Sequence, residues 1–132
     1  MAQELRLVLV TPEKTLLDEP VQALRFPLFD GQIGILPGRA PLVGRLGTGE
    51  LRVTEAGGNE RSYYIDGGFA QVKGPIVTLL TNRAVPAESL TKAEGEALKQ
   101  KAMASRPKTD TEFAAKERDL ERGRKIIAIA AK

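Results

Sequence analysis

Four stretches of the 132-residue chain combine residue types that can do chemistry at short spacing. Gly44-Arg-Leu-Gly47-Thr-Gly49 has the glycine density of a phosphate-binding loop. It lacks the Lys-Ser/Thr of that motif, and strand-like alternation follows it, so no helix N-terminus is expected to receive a phosphate. It reads as a glycine-rich turn. Asp66-Gly67-Gly68, directly after Tyr63-Tyr64-Ile65, marks either a site or a bend between two strands. Gly31-Gln-Ile-Gly-Ile-Leu-Pro-Gly-Arg-Ala-Pro-Leu42 joins three glycines and two prolines to apolar Ile33, Ile35, Leu36 and Leu42. Lys116, Arg118, Arg122, Arg124 and Lys125 place five cations near the C-terminus.

The inventory behind these stretches is narrow. With no Cys, no His and no Trp, disulfides, thiolate and imidazole metal sites, Cys nucleophiles and every imidazole-based triad are excluded. Carboxylates, lysines and two tyrosines remain. A carboxylate hydrolase would need two carboxylates within roughly 10 Å in a cleft, and no pocket-forming insertion is visible. We therefore assign no catalytic residue, no metal site and no cofactor.

The Gly31–Leu42 segment suits contact better than catalysis. Pro37 and Pro41 cannot donate to a central ladder, so the stretch is expected at an edge or rim. An apolar rim with Asp30 and Arg39 nearby reads as a surface for another protein, or as a tight structural corner.

The elements that position these residues fall into two halves. Eleven of the 13 glycines precede residue 84, where Leu5, Leu7 and Leu9 share one face of a strand and Leu51 and Val53 alternate with Glu50, Arg52 and Thr54. Asp30-Gly31 is a two-residue hairpin signal of the type I′ kind, and Gly57-Gly58-Asn59 and Lys73-Gly74-Pro75 punctuate later strands. The last strand pattern, Val77 to Leu80, is expected to end by Pro86. Residues 85–132 hold Ala/Glu/Lys/Arg stretches. Thr91 with Glu94, and Thr109 with Glu112, form capping boxes that open helices over Thr91–Ala104 and from Thr109 to about Ala131. Pro107 breaks the run between them. The expected fold is α+β, mainly β: a sheet domain over 1–84 and an antiparallel helical hairpin over 85–132. The hairpin's apolar stripe is thin, with Leu90, Ala93, Ala97, Leu98 and Ala102 facing Phe113, Leu120 and Ile127, so it is expected to be weakly held.

Residues 1–84 hold nine cationic and nine anionic side chains, and residues 85–132 hold 11 and eight. The whole net charge of +3 thus lies in the tail, where the five cations above are read as a basic face, either merely solvated or fitted to an acidic partner. Tyr63 and Tyr64, being adjacent, point to opposite faces, and the sheet half is neutral, so nucleic acid is not an expected partner. No apolar run approaches a membrane span, and the first residues do not resemble a signal peptide. The expectation is a soluble protein in a reducing compartment.

The chain resembles the epsilon subunit of F-type ATP synthases. The residues that carry the resemblance are Thr11-Pro12-Glu13, the Gly31–Leu42 segment, Tyr64-Ile-Asp-Gly-Gly-Phe-Ala-Gln-Val72 and Leu79-Leu-Thr-Asn-Arg-Ala84. The order and spacing hold over the first 84 residues, and the tail fits in length and layout. The resemblance implies a ten-stranded β-sandwich followed by a two-helix domain, in a non-catalytic subunit of the rotor's central stalk. The partners it implies are the gamma subunit, the c-subunit ring and the alpha/beta catalytic hexamer, with membrane association through the complex alone, on the cytoplasmic face of a bacterial inner membrane.

Position by position, Asp30, Gln32, Arg39, Ala40, Pro41 and Leu42 match the segment that meets the c ring, and Thr11, Asp66 and Gln71 match positions near gamma. Many relatives have Glu at Gln32 and His at Arg39. The resemblance further implies that the tail restrains ATP hydrolysis, with the basic helix engaging an acidic segment of the hexamer. Some relatives bind ATP through Ile/Leu-Asp-x-x-Arg-Ala. Here Thr91, Glu94 and Gly95 replace Asp, Arg and Ala, and a carboxylate in place of the cation reverses the electrostatic sign toward phosphate, so no bound nucleotide is expected. A free-standing adaptor domain is the alternative reading.

Overall fold

Alternation of apolar and polar side chains builds the first unit. In a computed structural model, residues 5–38 and 41–130 are described, and the chain divides into units Met1–Pro86 and Ala87–Lys132. The first holds nine strands among the described residues: β1 Leu5–Val10, β2 Thr15–Leu28, β3 Gly31–Ile35, β4 Leu42–Arg45, β5 Thr48–Glu55, β6 Glu60–Asp66, β7 Phe69–Lys73, β8 Ile76–Leu80 and β9 Ala84–Pro86. That is one fewer than the resemblance implies, in the same sandwich.

Hydrogen bonding runs β4-β7-β8-β1-β2-β5-β6-β9, with β3 on β2. The 14-residue β2 serves both layers. Its first half pairs antiparallel with β1; from Val21 it pairs with β5 and from Leu24 with β3 as well. An irregularity between Val21 and Ala23 marks where it turns from one layer to the other. β1 and β8 are parallel. Leu5, Leu7, Leu9, Phe26, Ile35, Leu51, Val53, Ile65, Val77 and Leu79 form the dry interior between layers.

Two local expectations are corrected. The β2–β3 hairpin turns at Phe29-Asp30, one residue before the expected Asp30-Gly31, because Leu28 pairs with Gly31. Neither central residue has positive φ, so the turn is not type I′. The strand pattern does not stop with β8, since Ala84–Pro86 pairs with Tyr63 to Ile65. Tyr63 and Tyr64 do face opposite ways on β6, since only Tyr63 belongs to the interior cluster, and both are buried.

The second unit contains a short 3₁₀ turn, Ala87–Ser89, then α1 Lys92–Ala104 and α2 Asp110–Ala130. Thr91 is the N-cap of α1, its Oγ1 accepting from Glu94 N–H at 3.2 Å. Thr109 Oγ1 accepts from Glu112 N–H at 3.1 Å, but the Glu112 carboxylate accepts from Lys108 N–H at 2.6 Å instead of from Thr109. The expected helix–helix stripe is also revised. Phe113 is 54% exposed, and the buried residues are Leu90, Gly95, Ala102, Gly123, Ile126 and Ile129.

Candidate interaction surface

One outward sheet face is apolar where a solvated one should be polar. Register places Arg45, Phe69, Leu80 and Val10 in one cross-strand row, and Val43, Gln71, Thr78 and Val8 in the next. Lys73, Ile76 and Arg6 make the third row. Val43 is 74% exposed, Phe69 59%, Leu80 49% and Ile76 44%. Their inward neighbours Ala70, Val72, Val77 and Leu79 are fully buried, so β7 and β8 present apolar side chains on both faces. A strand apolar on both sides is built to be covered on both.

The face continues to one end of the sandwich. Phe29 is 71% exposed and lies under the Arg45 guanidinium, 4.8 Å from ring centroid to Cζ. An open hollow of ≈ 730 Å³ is lined by Val10, Thr11, Pro12, Arg45, Phe69 and Leu80, among others. The backbone closes tightly beneath it: Phe29 N–H donates to Arg45 C=O at 2.8 Å, and Leu46 N–H to Gly68 C=O at 2.8 Å. Gly68 has φ +109, and a Cβ there would overlap the Leu80 carbonyl. The Asp66-Gly67-Gly68 stretch is therefore a bend, set by backbone geometry. Gly47 is constrained by space alone, since a Cβ would stand 2.8 Å from Leu28 O. The glycine-rich turn holds two backbones in contact, as read from its lack of a P-loop lysine.

The expected contact residues distribute unevenly over this surface. Gln71 sits in its middle, between Val43 and Thr78. Thr11 lines the hollow, in a turn where its Oγ1 donates to Lys14 C=O at 3.3 Å. Asp66 is committed to structure. It accepts from the Thr48 hydroxyl at 2.9 Å, and its N–H reaches Thr81 Oγ1 at 3.2 Å. Asp30 is exposed in the turn beside Phe29, and Gln32 is exposed on β3 opposite Pro27. Pro41 is exposed, whereas Leu42 is half-buried against the interior. The Gly31–Leu42 segment is thus not uniformly outward: Ile35 is wholly buried and Leu36 is 65% exposed. Arg39 and Ala40 lie outside the described residues.

Sequence reasoning missed Phe29, Val43, Arg45, Phe69, Ile76 and Leu80. A signal was available in Ile76-Val77-Thr78-Leu79-Leu80, whose large apolar residues occupy both parities of one strand.

In the second unit the five cations do not form one face. At 100° per residue, Arg118, Arg122 and Lys125 share a side of α2 at i, i+4 and i+7. Lys116 lies on another side, donating to Ser105 C=O at 3.4 Å, and Arg124 falls on neither. Arg122 pairs with Asp119 at 3.1 Å. Thr91 is occupied as a cap, and Gly95 is buried in the helix contact, which gives a physical reason for its departure from Ala. Among the described residues no group of His, Cys, Asp and Glu could hold a metal, and no helix is long and apolar enough to cross a membrane.

Comparison with known proteins agrees with this geometry. The beta-sandwich domain of the ATP synthase delta/epsilon chain matches residues 4–87. The ATP synthase epsilon chain of Rhodopirellula baltica is 48% identical over 99 residues, 71% of this chain and 77% of that one. The epsilon chain of Paracoccus denitrificans is 33% identical over all 132 residues and 84% of its own length. Among solved structures, a chain of the Euglena gracilis mitochondrial ATP synthase assembly of OSCP, F1 and c-ring superposes with TM-score 0.86 at 29% identity, covering 97% of this chain and 82% of that one. A chain of the Tetrahymena thermophila mitochondrial ATP synthase central stalk and c-ring gives TM-score 0.77 at 14% identity, a likeness of fold alone, covering 98% of both chains.

Proposed function

We propose, for a chain that belongs to the ATP synthase epsilon-subunit family, the role of a non-catalytic central-stalk subunit in the rotor of a proton-translocating F-type ATP synthase. It couples gamma to the c ring, at the cytoplasmic face of a bacterial inner membrane. The observation that carries this reading is the exposed apolar face of β4, β7 and β8. Gamma covers that face, with Phe69 and Leu80 at the end beside the hollow, Gln71 supplying a polar contact at its centre and Thr11 one at its edge. The c ring is met by the end of the sandwich that carries Phe29, Asp30 and Gln32, and by Pro41 across the segment that follows β3. Leu42, half-buried, acts there by supporting that segment.

The helical unit restrains ATP hydrolysis by contacting the alpha/beta hexamer. Arg118, Arg122 and Lys125 are the side chains best placed to meet carboxylates together, with Arg124 and Lys116 adding longer-range attraction. The superposition on a chain of an ATP synthase F1 and c-ring assembly supports the assignment of the chain to that complex.

The test is capture of purified gamma by the full chain. Phe69→Asp with Leu80→Asp is expected to weaken capture at least tenfold while the sheet stays folded. Capture at wild-type strength by that double variant would overturn the assignment of this face.

A further inference from the structure

The second unit contains two glycines, and the fold sets them against each other. Gly95 lies in the first half of α1 and Gly123 in the second half of α2, and both are buried. Neither has positive φ, so nothing in the backbone conformation calls for glycine. Each is costly to its own helix: alanine favours a helix interior over glycine about fivefold per position. What uses them is closeness of approach. A Cβ on Gly95 would stand 2.8 Å from Gly123 O and 2.6 Å from Ile127 Cγ1. A Cβ on Gly123 would stand 2.9 Å from Gly95 O and 2.6 Å from Lys99 Cγ. The contact is reciprocal, backbone against backbone, at one crossing point.

We propose that the Gly95–Gly123 contact is a clasp that sets the balance between a paired and an unpaired helical hairpin, and so regulates the element to which restraint of hydrolysis is assigned above; it rests on that assignment only for its effect on the enzyme. Glycine at these positions permits the closed pair, and its cost to helix propensity is the same whether the two helices are paired or apart. Alanine at either position leaves each helix intact and pushes the partner away. A polar link joins α2 to the end of α1, the Lys116 ammonium on the Ser105 carbonyl at 3.4 Å, and Ala102 on α1 and Ile126 and Ile129 on α2 are buried as well. A two-state element of this kind responds to whichever partner contacts one state better than the other.

The experiment uses the full chain, which has no native cysteine, with spin labels on Glu96→Cys and Arg124→Cys, both exposed positions. Pulsed electron-spin distances are compared for the parent, Gly95→Ala, Gly123→Ala and a control, Thr111→Ala, which raises helix propensity at an exposed position. The parent is expected to give one narrow short distance. Each glycine variant is expected to raise the long-distance fraction at least fivefold with the far-ultraviolet helical signal retained, and the control to leave the distribution unchanged. An unchanged distribution in both glycine variants, an equal shift in the control, or loss of the helical signal would each overturn the clasp. ATP hydrolysis by the reconstituted complex is read separately. Lengthened distances with unchanged hydrolysis would keep the clasp and remove the restraint of hydrolysis from the reading above.

Discussion

Phe69 and Leu80 stand directly opposite each other on β7 and β8, and both side chains point into solvent. The next residues inward, Ala70 and Leu79, are opposite each other too, and both are buried. One pair of strands thus carries two apolar surfaces, one buried in the fold and one turned outward, which the proposed function assigns to association.

That division is measurable. Phe69→Ser and Leu80→Ser are expected to change the stability of the chain by no more than about 0.5 kcal/mol, as exposed substitutions do. Leu79→Ala, one residue away, is expected to cost about 2–5 kcal/mol. Urea unfolding followed by the fluorescence of Tyr63 and Tyr64 reports on this unit directly.

Gly68 gives a second prediction. Its φ of +109 and the carbonyl of Leu80 beneath it leave no room for a side chain. Gly68→Ala is expected to destabilise the sheet unit by at least about 2 kcal/mol, combining backbone strain with forced movement of β8. Gly57→Ala, where φ is unrestricted and no atom lies within 4 Å, is the matched control and is expected to be neutral. Thermal unfolding midpoints of the two variants separate the cases.

Removal of residues 87–132 is expected to leave the sheet unit folded, since its interior cluster draws only on residues before Pro86. In the assembled complex the truncated chain is expected to raise ATP hydrolysis while still binding gamma. The coupled assay is steady-state phosphate release beside gamma capture.

ATP added to the free chain at millimolar concentration is expected to give no saturable chemical-shift changes. Thr91 already accepts the Glu94 N–H, and Glu94 would oppose phosphate. Restoring Asp at Thr91 and Arg at Glu94 is expected to leave binding weak, because Gly95 remains inside the helix contact. Amide spectra of the labelled chain measure both.

Much of the fold is legible before any coordinates, for reasons particular to its residues. Leu5, Leu7 and Leu9 alternate without interruption, and each is buried. Thr91 and Thr109 announce helix starts because a hydroxyl there can reach an unpaired N–H three residues on. The turn at Phe29-Asp30 was displaced by one residue because Gly31 attracts a turn reading whether it lies inside the turn or opens the next strand. β9 escaped notice because three residues give no periodicity. The candidate surface was half legible. Gln71 and Thr11 carry recognisable family spacing, while Phe69 and Val43 are recognisable as outward-facing only once the register shows which parity faces out. The helix contact was illegible for a similar reason: Phe113 looks like a core residue, and Gly95 and Gly123 look like defects until they are seen to touch.

The unbroken course of β2 through both layers has a mechanical consequence. In a stack of two separate sheets, shear between them is resisted only by side chains sliding past one another. Here a load borne by the β1 side reaches the β5 side along covalent bonds of a single peptide, so the body resists twisting as a folded plate does, by stretching its own crease.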